Sequence, residues 1–481
     1  MKRTRSILSF GVVLFSAAMG GCGTGAAGGD PVEQVVSALE TAPNDRGFAE
    51  SFHTSGVIDR TNPFFTPNGG NGRTCETCHL SDQGWTITPE GVTDLFNATA
   101  GLALIFNTLD EGSRPDNDVS TLAARQKAFT STLLQHGVTR FPLGFPDTAE
   151  FTVTDVKDPS GFATPSQLII FRRPSPTANE AKVAQTNWAF QPSDFGGVDV
   201  PTFLVPNAQG ASFFHLQNPA LPTALAQQIA DFSLGLFIAQ AFDNAAGALD
   251  AGGAKGGPAN LAAQPFYVGI NDIQGNDPIT HTFTRKVFNI FDAWAKGGDG
   301  DDDEGDDDSG SASAAAKQRK TRKSIFRGQE IFNFREFDIS GVNGLNDVLG
   351  QSVVKGTCST CHNAPNVGGH SVIRFFDTGT ANEDRCLADY PVMTLENKTT
   401  HEIRKVCDAG RAGAGFPPTG HWKDVGAFRA PPLRGLASRS PYFHDGQGDS
   451  IDTVISFYEK RFNIKLNKRD RTDLGNFLEA L

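Results

Sequence analysis

Two stretches of this 481-residue chain carry a cysteine pair followed at once by a histidine: Cys75, Cys78 and His79 in one, Cys358, Cys361 and His362 in the other. Thiols in this C-x-x-C-H order reach the two vinyl groups of one porphyrin as thioethers, and the adjacent imidazole turns onto its iron from the proximal side. With seven Cys and ten His in the chain, a chance occurrence is expected roughly 0.002 times. A structural zinc site would need another Cys or His pair close by, which neither stretch has. The sequence therefore predicts two covalently bound haem c groups, with His79 and His362 as iron ligands.

Covalent haem attachment belongs outside the cytoplasm, and the first residues agree with that. Lys2, Arg3 and Arg5 form a basic start, Ile7 to Met19 is a short apolar run, and small residues precede Cys22. This pattern resembles a bacterial lipoprotein signal over residues 1–21, with Met19 where Leu is usual. It implies a lipid anchor at Cys22 and a place in the periplasm or cell envelope. Removing Cys22 and the four haem thiols from the count leaves Cys386 and Cys407, which are expected to pair in an oxidising compartment. A net charge of −12 gives no reason to expect nucleic acid or an acidic membrane as partner.

The elements that must hold the two motifs are predicted as mainly α: two cytochrome c-type haem domains with long loops and an inserted disordered linker. Residues 22–47 read as a tether and 48–296 as the N-terminal haem domain. Within it a helix is expected from Leu225 through Phe232 and Phe237 to Ala241. Another is expected where Phe283, Val287, Ile290, Phe291 and Trp294 form one stripe. Residues 297–323 hold eight acids between Asp299 and Asp308 and five bases between Lys317 and Lys323, a composition that reads as a flexible linker. Asp299, Asp301 and Asp303 fail the calcium-loop pattern because Glu304 stands where glycine is required. The C-terminal haem domain, 324–481, opens on Ile325, Gly328 and Phe332 and closes on Leu474, Phe477, Leu478 and Leu481. These are two helical faces that can cross over the haem, with Gly328 allowing close approach.

Whether such irons are reactive depends on their sixth ligands. Of three methionines, Met1 and Met19 fall in the leader, so only Met393 is a thioether candidate, and it is read as a packed side chain. Phe428-Arg-Ala-Pro-Pro-Leu-Arg-Gly-Leu436, Ser440-Pro-Tyr-Phe-His-Asp-Gly446 and Ser450 to Tyr458 together resemble the C-terminal signature of the bacterial di-haem cytochrome c peroxidase and MauG superfamily. Phe171-Arg-Arg-Pro-Ser-Pro-Thr-Ala-Asn179, the Phe232 to Gln240 segment and Gly72 to Cys75 with Trp85 extend the resemblance over most of the chain from about Asn44. The peroxidases place a methionine ligand, and MauG a tyrosine, where this chain has Tyr458. The resemblance thus implies Tyr458 as a ligand of the second iron, and helical register points its phenol with Val454 and Phe457. A phenolate there lowers the potential.

The resemblance also implies that the haem at His79 is the peroxide-reacting one. Its relatives carry W-D-G-R before their distal Gln and Glu, and Asn187-Trp-Ala-Phe190 keeps only the tryptophan. Gln209 and His215 are the candidates here, since heterolysis of an O–O bond needs a group that moves a proton between the two oxygens. Trp188 and Trp85 are read as packing residues with the chemistry to relay electrons. His444 is read as orienting a haem edge, His370 as structural, and Arg434 as a propionate partner through its guanidinium fork. The leading function is reduction of hydrogen peroxide with electrons from a small c-type cytochrome or another periplasmic donor. One alternative is MauG-like, peroxide-dependent oxidation of a protein or organic substrate. The other is a closed di-haem electron-transfer cytochrome.

Overall fold

Helix Ala314–Phe334 crosses helix Lys468–Glu479 at Gly328, and this contact organises the second half of the chain. A Cβ at Gly328 would lie 2.0 Å from the carbonyl oxygen of Asp473 and 2.6 Å from Cβ of Phe477, so the two backbones meet where only glycine fits. Asp473 is buried beneath the crossing and accepts from Ser324 Oγ at 2.5 Å and from Arg327 Nε and Nη2 at 2.7 and 2.9 Å. Phe332 and Phe477 pack with ring centres 5.7 Å apart. The expected crossing of terminal helices is therefore present.

The computed structural model describes residues 40–108, 113–279, 282–295, 313–413 and 417–481. The leader, Cys22, most of the tether and the acidic run from Asp299 to Asp308 lie outside the described residues. All that is described belongs to one contact unit, residues 36–481. No helix among the described residues is long and apolar enough to cross a membrane.

Helix accounts for 34% and strand for 17%, so the mainly helical expectation holds only in part. Three departures remove helix or add strand, and a fourth adds helix. The segment from Val287 to Trp294 keeps its large apolar residues buried, yet its only helical part is a 3-10 turn, Asp292–Trp294. Amides on the neighbouring helix satisfy its backbone instead: Asn333 Oδ1 accepts from the N–H groups of Val287 and Phe288, and Asn333 Nδ2 donates to the Phe288 carbonyl. Gln329 Oε1 accepts from the N–H of Phe291. With donors and acceptors met in this way, the stripe needs no helical bonds.

Second, the predicted helix to Ala241 stops at Gly235, and Leu236–Asp243 is a strand. An apolar run buried on both faces suits either form, and pairing with Gly47–His53, in register Ser51↔Ile238, decides it. Third, Glu40–Asn44 pairs with Gly47–His53 as the edge of this four-stranded antiparallel sheet, so part of the expected tether is strand. Fourth, the helix of the second half begins at Ala314, not Ser324, because Ser313 Oγ caps the N–H of Ala316 at 3.2 Å. The basic run from Lys317 to Lys323 is thus helical. Arg322 from this run donates to the Ala246 carbonyl and lies over Trp294.

A three-stranded sheet joins Phe151–Lys157 to Val392–Asn397 and Ile403–Val406. Met393 sits on its middle strand in the apolar core with Phe151 and Leu395, and a disulfide joins Cys386 to Cys407 across the same hairpin.

Candidate functional site

The two cysteine motifs fold into the same local device. Each is a 3-10 turn, Cys75–Thr77 or Cys358–Thr360, flanked by threonines that bond reciprocally. The N–H of Thr74 donates to Thr77 Oγ1 at 3.0 Å, and the N–H of Thr357 donates to Thr360 Oγ1 at 2.9 Å. In both, the histidine N–H donates to the carbonyl of the first cysteine at 3.1 Å. The repeated Thr-Cys-x-Thr-Cys-His signals this capping in the sequence.

Each histidine also meets a backbone carbonyl through Nδ1: His79 that of Trp85 at 3.1 Å, His362 that of Gly368. A protonated Nδ1 places the lone pair on Nε2, the tautomer that ligates iron. Burial pushes the thiols of Cys75, Cys358 and Cys361 up to about 12, the reverse of an activated redox pair, whose thiolate is stabilised.

A cavity of about 230 Å³ opens beside the second motif. Cys358, Cys361 and His362 line one part of it, and helix Ile451–Phe462 brings Val454, Ile455 and Tyr458 to the same space. Burial raises the Tyr458 phenol above its ordinary value, with Cys361 and Cys358 adding to the rise. Two thiols, an imidazole and a phenol on one largely apolar cavity fit a covalently attached haem, whose macrocycle is apolar and whose iron takes N and O ligands. His362 would hold it from one side. Tyr458 shares the cavity wall with a second phenol, Tyr442, whose hydroxyl donates to the Leu436 carbonyl at 3.1 Å, and with Glu459.

The cavity continues to Trp188, His444 and Thr86. Trp188 Nε1 donates to the Arg173 carbonyl at 2.8 Å, and its ring meets His444 edge-on at 6.5 Å. His444 stacks on Phe428 at 4.0 Å and lies 3.8 Å from Asp408, whose carboxylate Arg172 grips through two bonds of 2.7 and 2.8 Å. His370 instead ties the motif to itself: its Nδ1 meets the Cys361 carbonyl at 2.8 Å and its ring packs edge-on against Phe376.

At the first motif, Cys75 packs with Phe64, Trp85 and Phe232, while Cys78 and Leu80 pack with Ile87 and Phe96. Trp85 is fully buried and donates to Ser51 Oγ at 2.8 Å. His215, at the end of helix Val200–His215, is brought to this loop through its carbonyl, which accepts from Asn71 and Arg73. Gln209, earlier on that helix, donates to the Leu221 carbonyl and faces Thr223 Oγ1. The two distal candidates therefore have different surroundings, and only His215 is tied to the motif.

Arg434 does not line the second cavity. It is 1% exposed and its guanidinium donates to the carbonyls of Leu481, Asn366 and Gly257, which corrects its reading as a propionate partner. The arginines that do line the cavity are Arg173, Arg335, Arg429 and Arg439.

Two C-x-x-C-H loops folded alike, one of them beside a cavity that Tyr458 lines, suit haem attachment; known proteins then give the chain relatives. Part of the chain is similar to cytochrome-c peroxidase IdrP1 of Denitromonas iodatirespirans, 28% identical over 143 residues that cover 26% of this chain and 37% of the relative. The protein of the same name from Pseudomonas sp. strain SCT is 27% identical over the same coverage. Methylamine utilization protein MauG of Methylorubrum extorquens is 34% identical over 109 residues, 20% of this chain and 30% of the relative. All three are members of the di-haem cytochrome c peroxidase superfamily. The chain spans about a third of the length of these relatives. No family model matches it, and no solved structure does.

Proposed function

We propose that this chain is an extracytoplasmic di-haem c oxidoreductase of the cytochrome c peroxidase type. It reduces hydrogen peroxide to water with electrons from a small c-type cytochrome or another periplasmic donor. The observation that carries this reading is the single cavity that runs from His362 and Tyr458 past Trp188 to Thr86. Thr86 bridges to Leu80, the residue after His79, so the far wall of this cavity is held beside the first attachment loop by backbone pairing. When bound, the haems supply the electrons for the two-electron reduction. The chain's residues orient them: the carbonyls of Trp85 and Gly368 hold the two proximal imidazoles, and Trp188 lines the cavity beside the second. His215, whose carbonyl accepts from Asn71 and Arg73 ahead of the first motif, is the residue to which this reading gives the proton transfer at the first site. The disulfide between Cys386 and Cys407 supports an oxidising compartment, and lipid attachment at Cys22 belongs to the same proposal.

Tyr458 favours a second reading, MauG-like oxidation of a protein or organic substrate. Phenolate ligation stabilises ferric iron, so a second haem of low potential accepts electrons poorly from an ordinary small cytochrome. The test is the visible spectrum of diferric protein as one equivalent of peroxide is added, for the parent and for Tyr458→Phe. The parent bands change on addition, and the variant shows altered second-haem bands and a midpoint raised by ~60 mV or more, a tenfold shift in a one-electron couple. No change in the parent indicates a closed electron-transfer cytochrome. Identical spectra in both remove Tyr458 as a ligand.

A further inference from the structure

Arg173, Arg429 and Arg439 all line the cavity beside His362, and all are buried, at 6%, 5% and 8% exposure. Their outer nitrogens meet only carbonyls. Arg173 donates to the carbonyls of Arg439, Pro441 and Ile87, Arg429 to that of Gln185, and Arg439 to that of Pro432. The Nε of each has no hydrogen-bond partner, and neither does Ser175 Oγ on the same cavity.

No carboxylate forms an ion pair with any of the three among the described residues. One carboxylate is within electrostatic reach: Glu180, which lies near Arg429. The fold does provide carboxylates for other buried arginines nearby, Asp408 for Arg172 and Asp194 for Arg411. Burial, with Arg439 adding like charge, drives Arg173 down to about 9. Three buried cations against one carboxylate leave two positive charges without a partner, an arrangement that is strongly unfavourable unless anions are supplied. A porphyrin attached through Cys358 and Cys361 brings two carboxylates into this cavity.

We infer that Arg173, Arg429 and Arg439, with Ser175, bind the two propionates of the haem attached at Cys358 and Cys361, the role the sequence suggested for Arg434. This rests on the di-haem reading. Guanidinium forks match carboxylates in geometry as well as charge, and cations beside the propionates favour the reduced iron, which carries one positive charge less.

The test uses the full-length protein and its Arg439→Gln, Arg439→Lys and Arg173→Gln variants. Haem content and intact mass are read first. A parent without two covalent haems fails the di-haem reading itself, before this inference is reached. With both haems present, the midpoint potentials are titrated, and a parallel titration of a Cys75→Ser, Cys78→Ser chain assigns the midpoint at His362. Each Gln variant is expected to raise the ferric-to-ferrous ratio of that haem at least tenfold at a fixed potential, a fall of 59 mV in a one-electron couple. Arg439→Lys, which keeps the charge, is expected to stay within threefold of the parent, a readout that a merely structural role would not give. Arg173→Gln covers the case in which Arg439→Gln fails to load haem. Two loaded haems with unchanged midpoints in the Gln variants would overturn the inference, as would a shift confined to the haem at His79.

Discussion

A chain with Cys358 and Cys361 replaced by serine should carry one covalent haem instead of two, seen as the loss of one haem mass under denaturing conditions. A serine hydroxyl forms no thioether with a vinyl group, so the attachment is lost outright. The second consequence is to stability. The cavity of about 230 Å³ beside His362 is lined by Phe332, Ile455, Leu474 and Leu478, which belong to the core formed by the two crossing helices. Leaving it without its filling costs on the order of 5 kcal/mol at ~24 cal/mol per Å³ of cavity. That is comparable to the entire stability of a typical domain, about 5–15 kcal/mol. The variant should therefore melt well below the parent in a calorimetric scan. If it retains two covalent haems, the assignment of this motif is wrong.

Gly328→Val should have an effect of similar size by the opposite mechanism, excess atoms where there is no room. Its Cβ would stand 2.0 Å from the Asp473 carbonyl oxygen. That obstacle is helix backbone, so it cannot rotate away as a flexible side chain would. The helices must separate, and with them Asp473 loses its fit to Ser324 and Arg327, a buried carboxylate stripped of a hydroxyl donor and a charged one. Overpacking alone costs about 1–3 kcal/mol, and the disturbed ion pair adds to it. Thermal unfolding should show a loss of about 3 kcal/mol or more, together with reduced haem content at the second motif. A variant as stable as the parent would mean that the helices do not cross at this residue.

What was legible in the sequence was local or had no competing explanation. The two attachment motifs are contiguous, the terminal helices announce themselves by residues such as Ile325, Phe332, Leu474 and Phe477, and Cys386 with Cys407 is what remains when the other cysteines are assigned. What was not legible depended on partners distant in the chain. The stripe from Val287 to Trp294 is genuine burial, but Gln329 and Asn333 supply its hydrogen bonds, and no periodicity records that. Leu236 to Asp243 becomes strand because Gly47–His53 lies beside it.

Arg434 illustrates the same limit at the site. Sequence identifies an arginine near the signature, while only the fold reveals that its guanidinium is used up on three carbonyls and that Arg173, Arg429 and Arg439 face the cavity. The signal that could have found them is their number: four arginines in Phe171-Arg-Arg-Pro, Phe428-Arg and Ser438-Arg with few acids adjacent.

The central claim is tested most directly by mixing protein with both haems loaded, a reduced small c-type cytochrome and hydrogen peroxide, and counting cytochromes oxidised per peroxide consumed. Reduction of peroxide to two waters takes two electrons, so the account predicts a ratio of two and no oxidation when peroxide is omitted. No peroxide-dependent oxidation of the cytochrome or of any added organic donor, with both haems in place, would contradict it.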